Sequence, residues 1–309
     1  MTKAEGVSKL RDVLREAARV ILDKDRELKV ILAAMLAGGH VLIEDVPGVG
    51  KTTLVQTLAK LLGLRMSRIQ MTNDLMPADI LGTSVFDKNL GDFRFREGPV
   101  FANVLLADEL NRASPRTQSA LLQAMEESEI TIDGQNHMLP RPFLVMATQN
   151  PQSHVGTHPL PESQIDRFMI AIKLDYATIA SELKIFSGYD PREALADLKP
   201  QMTAEGFRDQ QDEVRKIVVT EKLSEYVSRL VQSSRVDSQK YFALSTRSGL
   251  ALIKLAKALA HVEGLEFVNP DLIKLLAPFV FAPRLKGTQS LDVGFQRARQ
   301  ILEETAVAL

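Results

Sequence analysis

Eight consecutive residues, Asp45-Val46-Pro47-Gly48-Val49-Gly50-Lys51-Thr52, combine the residue types needed to hold phosphate. They follow the apolar run His40-Val41-Leu42-Ile43 and precede Thr53 to Leu62, whose apolar spacing is helical. A phosphate-binding loop requires this context of strand, glycine loop and helix. Gly48 and Gly50 can turn successive backbone N–H groups toward one point, which the positive end of the next helix also faces. Pro47, Gly48, Val49, Gly50, Lys51, Thr52 and Thr53 are therefore expected to cradle the phosphates of a nucleotide. Lys51 reaches the terminal phosphates in this reading, and the Thr52 hydroxyl ligates magnesium. Asp45 stands where the usual pattern has glycine.

Two further segments could complete such a site. Val104-Leu105-Leu106-Ala107-Asp108-Glu109 is an apolar strand ending in two carboxylates. Beside a phosphate loop, a strand of this kind delivers an acid to the magnesium, so Asp108 is expected to hold the metal shell. Glu109 is expected to orient and deprotonate the attacking water. A third apolar run, Phe143 to Thr148, leads into Gln149-Asn150-Pro151. Strand C-termini line the ligand crevice of open parallel sheets, where an amide can hold the water or the γ-phosphate. Taken alone, an acidic pair after a strand reads as a helix cap, and Asn-Pro as a turn.

The elements around these residues read as alternating strands and helices. Met66 to Met71, Val104 to Ala107, Phe143 to Thr148 and Met169 to Leu174 are short apolar runs separated by helical or turn segments. That rhythm predicts buried parallel strands with crossover helices. Val85 to Phe95 reads as one hairpin, and Ile130 to Leu139 as a second with Asp133-Gly134 at its turn. Leu10 to Leu22 and Leu28 to Ala37 have the period of amphipathic helices. After Tyr176 the strand signal fades, and helices are expected over Ile179 to Phe186, Leu223 to Val231, Ser248 to Val262 and Asp271 to Phe279. Pro191, Pro200 and Gly206 punctuate the middle. The expected division is an α/β nucleotide-binding core over 1–176 and a smaller α-helical domain over 177–309.

Composition narrows the classes. A formal net charge of −1 supplies no global field for nucleic acid or anionic membrane. The chain has no cysteine, which rules out disulfides, thiolate nucleophiles and zinc–cysteine sites. Met1 to Arg26 lacks the apolar centre of a signal peptide, and no run of eighteen apolar residues is present. A cytoplasmic protein without membrane insertion is the expectation.

Together the phosphate loop, the Asp-Glu strand, Ala147-Thr148-Gln149-Asn150-Pro151, Asp166-Arg167-Phe168 and the helical second half resemble AAA+ ATPases. Within them the chain resembles the MoxR family. The likeness is carried by Ala37 to His40, Phe93 to Phe101, Ala107 to Ala113, Thr117 to Glu127 and Pro159 to Phe168. It extends over about residues 20–300. The resemblance implies a P-loop α/β core with a parallel sheet, a smaller helical lid, and assembly of identical subunits into a hexameric ring that hydrolyses ATP with Mg2+. It places Asn150 at the sensor-1 position and Arg167 at the arginine finger, which acts on the neighbouring subunit's nucleotide. It places Arg247 at the sensor-2 position, touching the γ-phosphate in its own subunit. The first hairpin matches the insertion in the second helix, and the second matches the hairpin before sensor 1. The family usually has Gly-Gln where this chain has Asp23-Lys24, in a segment that helps close over the adenine. Arg112 has no assigned role; a subunit boundary and a surface salt bridge both suit it.

The resemblance implies chaperone-like remodelling or maturation of protein partners, often proteins with a von Willebrand A domain. With no further domain in view, client contact is expected from the ring surface, hairpins or lid. A nucleic-acid motor of the same clade needs lysine or arginine near the tip of the second hairpin. Between Glu126 and Arg141 the chain has Glu126, Glu127, Glu129 and Asp133 against Arg141 alone, so nucleic acid is not an expected partner. A metal-chelatase motor subunit and a nucleotide-gated module that hardly hydrolyses are the remaining alternatives. Glu109 and Arg167 argue against the latter.

Overall fold

The computed structural model of the chain describes residues 3–44, 46, 48–89, 91–150, 156–236, 243–287 and 289–306. Asp45 and Pro47 of the expected phosphate loop, Leu90 of the first hairpin and Pro151 lie outside them. Helices α1 (Lys3–Val20) and α2 (Asp25–Leu36) precede β1 (His40–Glu44) and α3 (Lys51–Leu61). After β2 (Met66–Gln70) come the short α4 (Pro77–Leu81) and a hairpin of β3 (Gly82–Asp87) and β4 (Asp92–Glu97). Then follow β5 (Val104–Asp108), α5 (Pro115–Glu127) and a second hairpin, β6 (Glu129–Ile132) with β7 (Gln135–Met138). The sheet is completed by β8 (Leu144–Gln149), the short α6 (Glu162–Ile165) and β9 (Phe168–Ile172). The later described elements are helices: α7 (Ile179–Phe186), α8 (Pro191–Asp197), α9 (Ala204–Arg215), α10 (Glu221–Val236), α11 (Thr246–Glu263), α12 (Pro270–Leu285) and α13 (Leu291–Glu304).

The five parallel strands lie in the order β2-β5-β8-β1-β9. Because strand side chains alternate between faces, each strand feeds two cores. Val41, Ile43, Leu106 and Met146 join a core with α1, α2, α3 and the helical half. Leu42, Leu105, Ala107 and Val145 join another with Leu121 and Leu122 of α5. Both faces are covered over β1, β5, β8 and β9, which explains why these strands read as apolar runs; β2, expected as a buried strand, is only half-buried because it lies at the edge of the sheet.

Both hairpins form as expected. In the second, Asp133 and Gly134 take φ of 50° and 76°, the left-handed pair that a tight two-residue turn requires. The hairpins meet where Phe95 stacks on His137, 3.9 Å between ring centres.

Four readings of the helical parts are corrected. Far from having one wet face, α2 is buried at Leu28 and from Val30 to Leu36, because α1, α9, α11 and β1 all pack on it. Pro191 and Gly206 are not breaks; they sit in the first turns of α8 and α9, behind the caps Asp190 and Thr203. Helix α12, expected over Asp271 to Phe279, starts behind an Asn269 cap and runs through Pro278 and Pro283 to Leu285. A helical proline costs about 3 kcal/mol. Unbroken burial from Leu276 to Leu285, against α11, α13 and β9, outweighs that local preference. Helix α13 had no counterpart among the expected elements.

Candidate functional site

The expected catalytic groups divide between the two ends of the sheet. At the C-terminal end of β1, Gly48 and Gly50 take φ of 88° and 84°, left-handed values that favour glycine. Gly50 is the N-cap of α3 and supplies no side-chain cap, and Lys51, Thr52 and Thr53 open the helix. Val49 packs against the core beneath the loop. At the adjoining strand ends, the buried Gln149 Nε2 has no hydrogen-bond partner among the described residues. A buried polar donor of this kind calls for an acceptor beyond the described residues.

Asp108 and Glu109 end β5 on this same edge and share one organiser, Thr148 of β8. Its hydroxyl donates to Asp108 Oδ1 at 2.6 Å and accepts from the Glu109 backbone N–H at 2.8 Å. Arg68 Nη2 donates to Asp108 Oδ2 at 2.7 Å. Glu109 turns off the strand at φ 56°, a left-handed conformation that costs a non-glycine residue about 1–3 kcal/mol. Its Oε2 accepts from Gln70 Nε2 at 2.8 Å and forms an ion pair with Arg112 Nε at 3.1 Å. Arg112 thus forms a salt bridge with Glu109, one of the two places open to it. Asn150 follows β8 here, its carbonyl 3.5 Å from Asn111 Nδ2.

The arginines lie at the opposite end. Arg167 immediately precedes β9, and a cleft of about 330 Å³ opens beside it, lined by Gly39, His40, Glu126, Arg167, Arg247 and Arg284. Glu126 Oε2 accepts from Arg167 Nε at 3.0 Å, and Oε1 from Arg247 Nη2 at 2.8 Å. The hydrogen bond from Arg247, then the charge of Arg167, hold the Glu126 carboxyl below its ordinary pKa. Arg247 thus lies beside Arg167, at the end of the sheet away from its own phosphate loop. Gly39 and His40 mark the start of β1 and the phosphate loop follows its end, so a five-residue strand, about 13 Å long, separates them. Sequence spacing carries no information about which end of a sheet a distant helix meets.

Residues that motif reading missed hold both ends in place. Arg284, buried near the end of α12, donates from Nε to Asp166 Oδ1 at 2.6 Å and from Nη2 to the carbonyls of Asp166 (3.2 Å) and Phe168 (2.9 Å). Ser245, the cap of α11, donates to Asp166 Oδ2 at 3.4 Å. Asp166 is thereby the joint that sets Arg167 beside Arg247. Two residues past Arg284, Lys286 makes a buried ion pair with Glu44, the last residue before the phosphate loop. His40 is buried as well: Val145 N–H donates to Nδ1 at 2.9 Å, so Nε2 bears the proton and donates to the Met125 carbonyl at 3.1 Å. The unusual Asp23-Lys24 pair also has partners. Asp23 accepts from the Thr178 N–H and hydroxyl, and Lys24 donates to the Tyr176 carbonyl at 3.2 Å.

Comparison with known proteins identifies the family of the chain. Residues 40–170 match the model of the ATPase family associated with various cellular activities (AAA), and residues 232–305 match that of the AAA lid domain. A Bacillus subtilis protein, Uncharacterized protein YeaC, is 43% identical over 268 residues, covering 86% of this chain and 83% of its own length. Chaperone MoxR1 of Mycobacterium tuberculosis is 40% identical over 293 residues, 91% of this chain and 77% of its own. A crystal structure of a candidate ATPase from Cytophaga hutchinsonii superimposes with a TM-score of 0.87 at 33% identity, covering 98% of this chain and 96% of that one. An AAA core and an AAA lid in series, along with a MoxR relative matched over most of its length, make this chain a member of the MoxR family of AAA+ ATPases, an enzyme that hydrolyses ATP.

Proposed function

We propose that this ATPase works as a ring, hexameric as the family resemblance implies, in which each subunit lends its arginines to the nucleotide of the next. Hydrolysis there drives remodelling or maturation of a protein client. One observation carries the reading: Arg167 and Arg247 already converge on a single carboxylate, at the end of the sheet remote from their own phosphate loop. Two guanidinium groups that share Glu126 are spaced to share a phosphate. A head-to-tail contact that presents this edge to the next copy generates a ring where its rotation closes, which is the assembly we propose.

The residues at the loop edge fit the groups they are assigned. Backbone donors opening α3 suit phosphate oxygens, and the Thr52 hydroxyl with the Asp108 carboxylate is a hard oxygen pair suited to Mg2+. When bound, the metal neutralises charge on the phosphoryl oxygens. Lys51 is the cation for the terminal phosphates. Thr148 holds Asp108 and the Glu109 backbone in register. Glu109 accepts the proton of the attacking water, and Asn150 positions that water from the next strand. We keep the domain boundary at Tyr176, because the last sheet strand ends at Ile172 and helices follow.

The client reading rests on the family and on the name of the mycobacterial relative, a chaperone. A protein with a von Willebrand A domain is the client class we infer. The second hairpin, Glu129–Met138, carries Glu129 and Asp133 without lysine or arginine, which argues against gripping nucleic acid.

Subunit mixing tests the ring. Arg167→Ala should cut hydrolysis on the order of a thousandfold while leaving nucleotide affinity near wild type. Combined with Glu109→Gln, it should regain activity, because adjacent copies then pair an intact Glu109 with an intact Arg167. Arg247→Ala should be complemented by the same partner. Inert mixtures, with mixed rings confirmed by mass measurement, would return both arginines to their own subunit.

A further inference from the structure

Helix α7 exposes an apolar face that the described residues leave uncovered. Tyr176, Ile179, Leu183 and Phe186 recur at helical spacing and are 68%, 78%, 60% and 79% exposed. Ser181 is the one buried residue of the helix. An eight-residue helix is too short to be stable in water without tertiary support. Here the support comes from Asp23, which meets the buried Ser181 as well as Thr178, and from contacts at the two ends. Asp23 and Lys24 hold the Thr178 and Tyr176 backbone, and Tyr189 OH donates to the Arg19 carbonyl. Lys184 is turned back over the Tyr189 ring, 4.4 Å from its centre. The outward stripe comprises on the order of several hundred Å² of apolar surface, the size that marks an interaction site on a monomer.

Its place selects the occupant. Helix α7 follows β9, whose C-terminal end lies beside that of β1 and its phosphate loop. Under the reading proposed above, on which this inference rests, the neighbouring copy must bring Arg167 and Arg247 to that same edge. Arg247 opens a face of α11 that continues through Leu250 and Lys254, at intervals of one and two turns and all exposed. Leu250 is 55% exposed. That face is apolar and basic, whereas α7 pairs its apolar stripe with Glu182 and follows Asp175, both exposed. The two surfaces are complementary in charge as well as in apolarity.

We propose that α7 of one subunit docks on α11 of the next, its stripe against Leu250 and Glu182 facing Lys254, so that this contact brings Arg247 to the neighbour's nucleotide. The contact is heterologous, and Asp23-Lys24 serves to hold α7 in position for it.

The chain has no cysteine, so introduced thiols report cleanly. Leu183→Cys and Leu250→Cys are made in separate Glu109→Gln chains, mixed with ATP and treated with a short bis-maleimide. A covalent dimer joining the two different chains, absent from either variant alone, is expected. A dimer from Leu183→Cys alone would overturn the proposal by showing that the stripe pairs with itself. So would the absence of any cross-link in rings of confirmed mass, which would leave the stripe for a client protein. Independently, Glu182→Lys should raise the concentration of half-maximal ATPase activity roughly tenfold or more, the worth of an interfacial charge pair. Lys254→Glu in the same chain should bring it back; no recovery would count against the pairing. If Arg167→Ala and Glu109→Gln complement each other while the cross-link fails, the shared site stands and the α7 contact falls. If the cross-link forms without complementation, the contact stands and the shared site falls.

Discussion

The two edges of the central sheet are built on opposite principles. At the edge where β1, β5 and β8 end, polar groups are left wanting: α3 has no side-chain cap, Gln149 Nε2 has no partner among the described residues, and Glu109 is held at φ 56°. At the other edge the base is fully engaged. Both His40 nitrogens are bonded within the chain, and Arg284 meets Asp166, Phe168 and Val280. Only the outermost arginines there, 167 and 247, are held by a half-exposed carboxylate. In the proposed reading, backbone strain and unmet donors mark the edge that receives a ligand, and the edge offered to a neighbour is rigid below and accessible at the tip.

The sharpest way to break this contrast is at the receiving edge. Lys51→Ala should abolish ATP binding, because it removes charge that meets the phosphates in the ground state. Glu109→Gln should bind normally yet lose at least about a hundredfold in turnover, because its carboxylate acts on water. Titration with a fluorescent ATP analogue and phosphate-release assays separate the two. Wild-type affinity in the Lys51 variant would remove the loop from its assigned role.

At the engaged edge the expected losses are in stability. Arg284→Met leaves Asp166 without its cation and should cost about 3–5 kcal/mol by urea unfolding. Arg284→Lys should recover only part of it, since an ammonium cannot span the same fork of acceptors. A variant within experimental error of wild type would show that Asp166 is held by other means.

A pH series probes the same edge more gently. Burial pushes His40 down to about 4 from its ordinary 6.5, against a smaller opposing effect of the Met125 carbonyl. The unfolded chain therefore takes up this proton before the folded one does. Stability is whole above pH 6.5 and is lost as pH falls from 6.5 toward 4, by on the order of 3 kcal/mol. Thermal midpoints of His40→Gln should lack this portion of the slope; an identical slope would locate the proton uptake elsewhere.

The smallest effect belongs to the tip. Glu126→Gln weakens contacts made in solvent and should move stability by less than about 1 kcal/mol. A loss approaching that of Arg284→Met would mean that the two outer arginines are structural after all.

Much of the receiving edge was legible in the chain because its signals are local. A left-handed turn needs Gly48 and Gly50 wherever it occurs, and an apolar run ending in Asp108-Glu109 delivers its acids to a strand end in any parallel sheet. Alternation at Asp133-Gly134 named its hairpin for the same reason. Pro191 and Gly206 misled because first-turn residues resemble breaks when the caps before them, Asp190 and Thr203, go unread. Pro278 and Pro283 misled because the energy that keeps α12 helical comes from α11, α13 and β9, not from nearby residues.

By itself, then, the sequence determined the chemistry of the loop edge and the rhythm of strands that carries it, since backbone tolerance and two-residue alternation act over a few bonds. Only the tertiary structure decided where the cations go. Arg247, Arg284 and Lys286 lie 121, 118 and 242 residues from their partners Glu126, Asp166 and Glu44 in a chain that gives no local hint of the pairing; what joins them is the packing of α11 and α12 against the sheet. A long flexible cation is chemically the same at every position. Whether it becomes a clamp, as Arg284 does, or an arginine offered outward, as Arg247 is, depends on how much water the surrounding helices exclude.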